Sequence, residues 1–138
     1  MKRTVAGFTL IEVLIVVVII AVLLAIAIPS FQEYMRRARR ADAISCLQQM
    51  QLSQERWRAN NPTYGTAAQI GACTSPYYTF TVTGNTATNF TLTATRAGAQ
   101  TTDSTCGNYS ITQTARTAPA VGVDITKSPD PATTSCWK

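Results

Sequence analysis

The sequence contains no histidine, and it therefore lacks the side chain that most often transfers protons or binds metals near neutral pH. It also lacks a glycine-rich phosphate loop and a grouping of nucleophile and base. No two of its four cysteines have C-x-x-C spacing, which argues against a zinc site or a thioredoxin-type site. These absences argue against an enzyme and predict that the chain needs no metal and no cofactor.

Charged residues are also scarce, at 14% against roughly 25% in soluble domains. The mean hydropathy of +0.04 averages two unlike parts. Most Val, Ile and Leu residues precede Pro29, whereas most Thr, Asn, Ser and Cys residues follow it. The composition argues against a purely cytosolic enzyme, and its aromatic and aliphatic content is too high for a disordered chain.

Residues 8–28 form an apolar run of 21 residues in which Glu12 is the single charge. A helix of this length spans about 32 Å, enough for a hydrocarbon core of about 30 Å. A cleaved secretory signal is usually shorter and ends at small residues, whereas this run ends in Ile28-Pro29-Ser30. A plain signal anchor explains the length and the basic Lys2 and Arg3, but it does not explain Glu12.

A carboxylate inside a membrane segment is costly, about 2.5–3.5 kcal/mol at the centre and less near the edge. Glu12 is therefore a candidate functional residue, and its segment offers no Lys or Arg as a partner. The partner must come from elsewhere, such as the N-terminal amine of a neighbouring chain.

Residues 2–12, KRTVAGFTLIE, followed by the apolar run and Pro29, resemble the class III signal of type IV pilins and pseudopilins. The resemblance implies that a prepilin peptidase cleaves between Gly7 and Phe8, removing leader 1–7, and that the new Phe8 amine is methylated. It also implies that Glu12 pairs with the Phe8 amine of an adjacent subunit during assembly. Loss of Lys2 and Arg3 lowers the net charge from +5 to +3.

The sequence departs from the family at Ala21, where many type IV pilins have a glycine in the middle of the helix. Family filaments often show the helix melted between that position and Pro29, but Ala favours helix over Gly by about 1 kcal/mol. Pro29 itself predicts a kink, because it lacks a backbone donor.

Residues 30–60 continue the helix, which we expect to stop at Asn60-Asn61-Pro62. Apolar residues recur on one face and predict the surface on which a sheet packs; they are Ala43, Cys46, Leu47, Met50 and Trp57. A cofactor-binding role for Met50 or Trp57 is the less favoured alternative.

Four arginines follow the membrane segment: Arg36, Arg37, Arg39 and Arg40. The favoured interpretation is a solvated collar facing the lipid headgroups. The alternatives are contact with lipid phosphates, pairing with acids of another subunit, or contact with DNA phosphates. The positive-inside rule would place the chain beyond them in the cytoplasm, but the cysteines and the pilin resemblance indicate the opposite and carry more weight.

Residues 61–138 predict a globular β head. Apolar residues alternate with threonine at 78–83 and 90–95, which predicts two strands joined by a hairpin at Gly84-Asn85. A third strand is expected near 107–114 and a short fourth near 121–125, with 97–105 and 115–135 otherwise loop-like. The predicted class is α+β: a long N-terminal helix, half transmembrane (8–29) and half amphipathic (30–60), packed on an antiparallel sheet of three to four strands.

An even number of cysteines in an exported chain indicates disulfides. Three pairings are open, and neighbours in sequence suggest Cys46–Cys73 and Cys106–Cys136. The second pair resembles the C-terminal disulfide loop of type IV pilins, here 106–136. The Cys136-Trp137-Lys138 ending resembles that of small minor pilins.

The favoured function is a structural subunit of a type IV pilus that supports twitching motility, adhesion and DNA uptake. The resemblance implies other pilin subunits, a prepilin peptidase and an assembly platform as partners. It places the chain in a bacterial inner membrane with its head in the periplasm, and after assembly in an extracellular pilus. The alternatives are a DNA-binding minor pilin of a competence system and a pseudopilin of a type II secretion system; a membrane-anchored enzyme is the least supported.

Overall fold

The computed structural model describes residues 7–116, 122–128 and 135–137. Its elements are helix α1 (Leu10–Arg58), helix α2 (Ala67–Ile70), strands β1 (Tyr78–Thr83), β2 (Phe90–Arg96), β3 (Tyr109–Arg116) and β4 (Gly122–Ser128), and 3₁₀ turns at Gly98–Thr102 and Ser135–Trp137. The chain divides into two compact units, residues 1–35 and 36–138, and α1 contributes to both.

The first unit consists of the apolar half of α1, whose large side chains are all exposed. Within the described ranges it is the one helix with the length and composition to cross a membrane. The helix is unbroken through Ala21 and Pro29. Pro29 has no N–H to donate, so the carbonyl four residues earlier has no partner in the ladder. The kink at Pro29 and melting of the helix in a filament stay predictions.

The second unit contains an antiparallel sheet with strand order β1-β2-β3-β4. The predicted alternation is confirmed: Phe90, Leu92 and Ala94 are buried, and the intervening threonines face outward. In the register, Leu92 lies opposite both Val82 and Ile111, so the apolar side chains of three strands line up. The α+β class and the small antiparallel sheet are as predicted.

Strand β4 differs from its prediction, because it is seven residues long and ends at Ser128 rather than near Ile125. Its sequence, GVDITKS, contains residues that strands disfavour, so its pairing with β3 decides the structure more than propensity does. The 3₁₀ turn at Gly98–Thr102 falls in a segment expected to be loop-like, and helix α2 was not predicted. Val121, the first residue of the expected fourth strand, and residues 129–134 of the expected C-terminal loop lie outside the described residues.

The core of the second unit lies between α1 and the apolar face of the sheet. Four of the five predicted helix residues are buried there: Ala43, Cys46, Leu47 and Met50. Trp57 is only partly buried. Gln54, which continues the same face, is completely buried and was not expected.

Two disulfides join the periphery to this core. Cys46–Cys73 connects α1 to the segment before β1, and Cys106–Cys136 connects the approach to β3 with the C-terminal turn. Their Cα atoms are 6.2 and 5.6 Å apart, as disulfide geometry requires. This is the pairing that sequence neighbours suggested.

Removing either disulfide by a double Cys→Ala substitution should lower the free energy of unfolding by about 3–4 kcal/mol, because each bond closes a loop of similar length. Urea unfolding of the full chain in detergent micelles measures this loss. Addition of a reductant should remove most of the difference between the wild type and each double variant, because all three proteins then lack disulfides. An unchanged midpoint in either variant would contradict a stabilising role for that bond.

Candidate functional site

The predicted cleavage segment lies just before the first helical turn. Gly7 and Phe8 are exposed and precede α1, which begins at Leu10. Thr9 caps the helix, because its Oγ1 accepts a hydrogen bond from the Glu12 backbone N–H at 3.3 Å. The Gly7–Phe8 peptide bond therefore lies outside the helix, between two exposed residues. Lys2 and Arg3 lie outside the described residues.

The arginine cluster does not act as one unit, because Arg40 is buried. Its Nε and Nη2 donate to the two Asp103 carboxylate oxygens at 2.5 and 2.6 Å. Gln100 Nε2 donates to the same carboxylate at 2.9 Å, and the Thr105 backbone N–H donates at 3.0 Å. The Arg40 guanidinium is thus used inside the head to neutralise a buried acid, whereas contact of this cluster with lipid, another subunit or DNA stays a prediction.

The surroundings of Asp103 determine its protonation. Burial alone would raise the pKa of this carboxyl, but the hydrogen bonds from Arg40 and the Thr105 backbone, with the Arg40 charge, outweigh burial and lower the pKa below its ordinary 3.8. Nearby, burial raises the pKa of Tyr109 to about 12. Tyr109 donates its hydroxyl to the Cys136 carbonyl at 3.1 Å and stays neutral at physiological pH.

The other three arginines of the cluster lie closer to the surface. The Arg39 guanidinium lies 4.1 Å from the centroid of the Tyr77 ring, a cation–π contact. Arg37 is exposed, and Arg36 is partly exposed. These three side chains remain candidates for contact with an anionic partner.

A second basic feature lies where α1 ends, and we call it the helix-end cleft. It is a solvent-open cleft of about 410 Å³. Helix α1 contributes Ser53, Arg56 and Trp57, the following turn contributes Asn60 and Asn61, and α2 contributes Gln69 and Ile70. No sequence motif predicted this cleft, although Arg56-Trp57-Arg58 places an aromatic ring between two cations.

Buried hydrogen bonds fix the shape of the cleft. The Gln54 amide donates to the Gly65 carbonyl at 2.7 Å and accepts from the Gly65 N–H at 2.8 Å. Gly65 thereby lies against the Trp57 ring, and a Cβ at this position would come within 2.8 Å of Ile70 and 3.1 Å of Trp57. Only glycine allows this approach, so residue 65 brings α2 next to the end of α1.

The polar groups of the cleft divide into those that hold it together and those that face solvent. Arg58 donates to the carbonyls of Asn61 and Ala87 and thus holds the turn. Gln69 uses its Oε1 to accept from the Thr66 N–H, which leaves its amide N–H groups for another partner. Arg56 and Asn60 are exposed. Among the described residues no group of acids and cysteines could hold a metal ion.

A long apolar N-terminal helix followed by a disulfide-bonded antiparallel sheet is the architecture of a type IV pilin. The family model described as the prokaryotic N-terminal methylation motif matches residues 2–28. The model described as type IV minor pilin ComP, DNA uptake sequence receptor, matches residues 29–110, more than half of the chain. The chain belongs to this minor pilin family.

Individual relatives agree with this assignment. The chain is 38% identical over 75 residues to the type IV major pilin protein PilE1 of Neisseria gonorrhoeae, covering 49% of this chain and 46% of that protein. It is 38% identical over 75 residues to a fimbrial protein of Neisseria meningitidis, covering 49% and 44%. It is 32% identical over 102 residues to the fimbrial protein EcpC of Eikenella corrodens, covering 69% and 65%. The chain thus matches just under half the length of the Neisseria pilins.

Replacing Asp103 with Asn should destabilise the head by about 3–5 kcal/mol at pH 7, because Arg40 would remain buried without a counter-charge. Since folding lowers the pKa of Asp103, the carboxylate stabilises the wild type above its unfolded pKa, and this contribution is lost as pH falls through the folded pKa. Unfolding free energies measured from pH 7 down to pH 2 should therefore converge for the two proteins.

The control is Asp42→Asn, which removes an exposed acid from the same helix. It should change stability by no more than about 0.5 kcal/mol. Equal effects of the two substitutions at pH 7 would contradict a special role for the Arg40–Asp103 pair.

Proposed function

We propose that this chain is a minor subunit of a type IV pilus and that it binds DNA during uptake. The observation that carries the proposal is the match of residues 29–110 to a family described as a DNA uptake sequence receptor. That range contains the arginine cluster and the whole helix-end cleft. Filament-level motility and adhesion would follow from incorporation into the pilus.

Processing and assembly involve the other matched segment. The methylation motif over residues 2–28 and the exposed Gly7–Phe8 bond support cleavage there by a prepilin peptidase and methylation of the Phe8 amine. The apolar helix would anchor the subunit in the inner membrane, with the head in the periplasm, until the assembly platform transfers it into the extracellular filament. Neighbouring pilin subunits would then replace lipid around the helix.

Glu12 would provide specificity at this transfer. It lies four residues after Phe8 in the chain, beside a groove of about 280 Å³ that Phe8, Val13, Val16 and Val17 also line. Removed from water, the Glu12 carboxylate needs a positive partner, and the Phe8 amine of an adjacent subunit would supply one. A misplaced subunit would leave both charges unpaired.

DNA binding would depend on phosphate contacts. Removal of the leader leaves a net charge of +3, and the described arginines Arg37 and Arg56 are exposed at different levels of α1. A protein that neutralises phosphates releases counter-ions, so its affinity falls steeply with salt. The exposed arginines thus predict DNA binding with a strong salt dependence.

Glu12→Ala should leave membrane insertion and cleavage intact but lower incorporation into filaments, because the positive Phe8 amine would lose its partner. Intact-mass analysis of membrane and filament fractions measures both steps: wild type and variant should each begin at methylated Phe8. Glu33→Ala, which removes an acid outside the apolar run, is the matched control. Normal incorporation of the Glu12 variant would refute the proposed pair, and an intact Met1 terminus in filaments would refute the processing.

The full chain in detergent micelles should bind a DNA duplex with an affinity that falls linearly with the logarithm of salt concentration. Arg37→Gln should reduce the slope by about 1, since one phosphate contact is lost. Asp42→Asn, which removes a negative charge close by on α1, should not weaken binding. Absence of measurable binding at low salt would refute the proposed DNA-binding function.

A further inference from the structure

We propose that the helix-end cleft binds a single unpaired nucleotide of a DNA strand, with the base stacked on Trp57 and a phosphate at Arg56. This inference rests on the proposed function and specifies its site. It predicts that the subunit contacts a base as well as the sugar–phosphate backbone.

The size and the lining of the cleft fit this ligand. Its volume of about 410 Å³ lies within the range of about 300–1,000 Å³ typical of small-molecule sites. The lining combines one aromatic ring, one exposed guanidinium and amide side chains. A nucleotide presents the complementary set: a flat base, an anionic phosphate, and hydrogen-bonding groups on the edge of the base.

The aromatic ring is held in place for stacking. One side of Trp57 is covered where Gly65 packs against ring atoms Cγ and Cδ1, and Gln54 fixes Gly65 through two buried hydrogen bonds. Trp57 also lines the open cleft and is only partly buried. A ring fixed by the protein loses little conformational freedom when a base stacks on it, which favours binding.

The polar groups around Trp57 supply the remaining contacts. Arg56 precedes Trp57 and is exposed. No described residue pairs with its guanidinium, which can therefore bind a phosphate without breaking an internal contact. The Gln69 N–H groups and the Asn60 amide can bond the edge of a base. Stacking on Trp57 requires a base that has left the duplex stack, which points to an unpaired nucleotide, and the edge of such a base is free for these bonds.

The test compares two pentamers: oligothymidylate, and an abasic oligomer with the same phosphates. The full chain in detergent micelles should bind oligothymidylate about 5- to 150-fold more tightly, the range that one stacked base provides. Trp57→Ala should bring this ratio close to 1 while leaving abasic binding nearly unchanged, and Trp57→Phe should retain most of it. Arg56→Gln should weaken both oligomers together.

Matched controls lie on the same helix outside the cleft. Arg37→Gln removes the same charge and Gln48→Ala removes an exposed amide, and neither should change the ratio. If Trp57→Ala does not fold, the exposed substitutions Gln69→Ala and Asn60→Ala provide the test, and each should lower the ratio. In a Trp137→Phe background Trp57 is the sole tryptophan, so its fluorescence should change with oligothymidylate and not with the abasic oligomer.

The outcomes separate the two proposals. Equal affinity for the two oligomers, or a ratio that Trp57→Ala leaves intact, would overturn the nucleotide site while DNA binding stands. Tighter binding of a duplex than of either of its separated strands would also overturn it. Failure of the wild type to bind any DNA at low salt would overturn the proposed function itself.

Discussion

Small residues occupy more than a third of the buried apolar positions described in the head, and other interactions therefore help to fix its loops. Among the described residues, five of the fourteen buried apolar positions are alanines or half-cystines: Ala43, Ala94, Cys46, Cys106 and Cys136. Small residues bury little area, and small domains often need cross-links for this reason. The two disulfides meet this need by constraining the unfolded chain, whereas buried polar bonds decide where each loop lies.

Three connections, one of them a disulfide, join helix α1 to loops of the head at successive positions along the helix. Arg40 binds Asp103 in the segment after β2, Cys46 binds Cys73 before β1, and Gln54 binds Gly65 before α2. Fourteen residues separate Arg40 from Gln54, about 21 Å along a helix. Each connection joins the helix to a different loop, so the helix sets the positions of all three. The cleft at the end of α1 is a consequence of the Gln54–Gly65 bonds, because they hold Gly65 and α2 close to Trp57.

The sequence predicts the parts of the structure that depend on local patterns. The length of the apolar run, the GFTLIE motif and the alternation of threonine with apolar residues indicate the N-terminal helix, the family and the strands. Arg40 could not be distinguished from its neighbours, because its partner lies 63 residues away and only the fold brings them together. Gln54 belongs to the helical face that the apolar residues define, but its burial was not predicted because its side chain is polar. The same limit applies to Trp57. The sequence placed it on the apolar face of the helix, but the cleft beside it depends on Gly65, eight residues further along the chain.

The distribution of charge in the head also indicates which of its surfaces would contact DNA. The outward face of β1 and β2 consists of threonines, and Thr91 bonds Thr112 on the next strand, with their hydroxyl oxygens 3.1 Å apart. Hydroxyls can bond phosphates, but without a positive charge they release no counter-ions and attract no polyanion over distance. The arginines on α1 can release counter-ions and can attract a polyanion over distance. Arg40 is neutralised by Asp103 and Arg39 stacks on Tyr77, whereas the exposed charge at Arg56 lies next to Trp57 in an open cleft, where attraction and the proposed stacking would coincide.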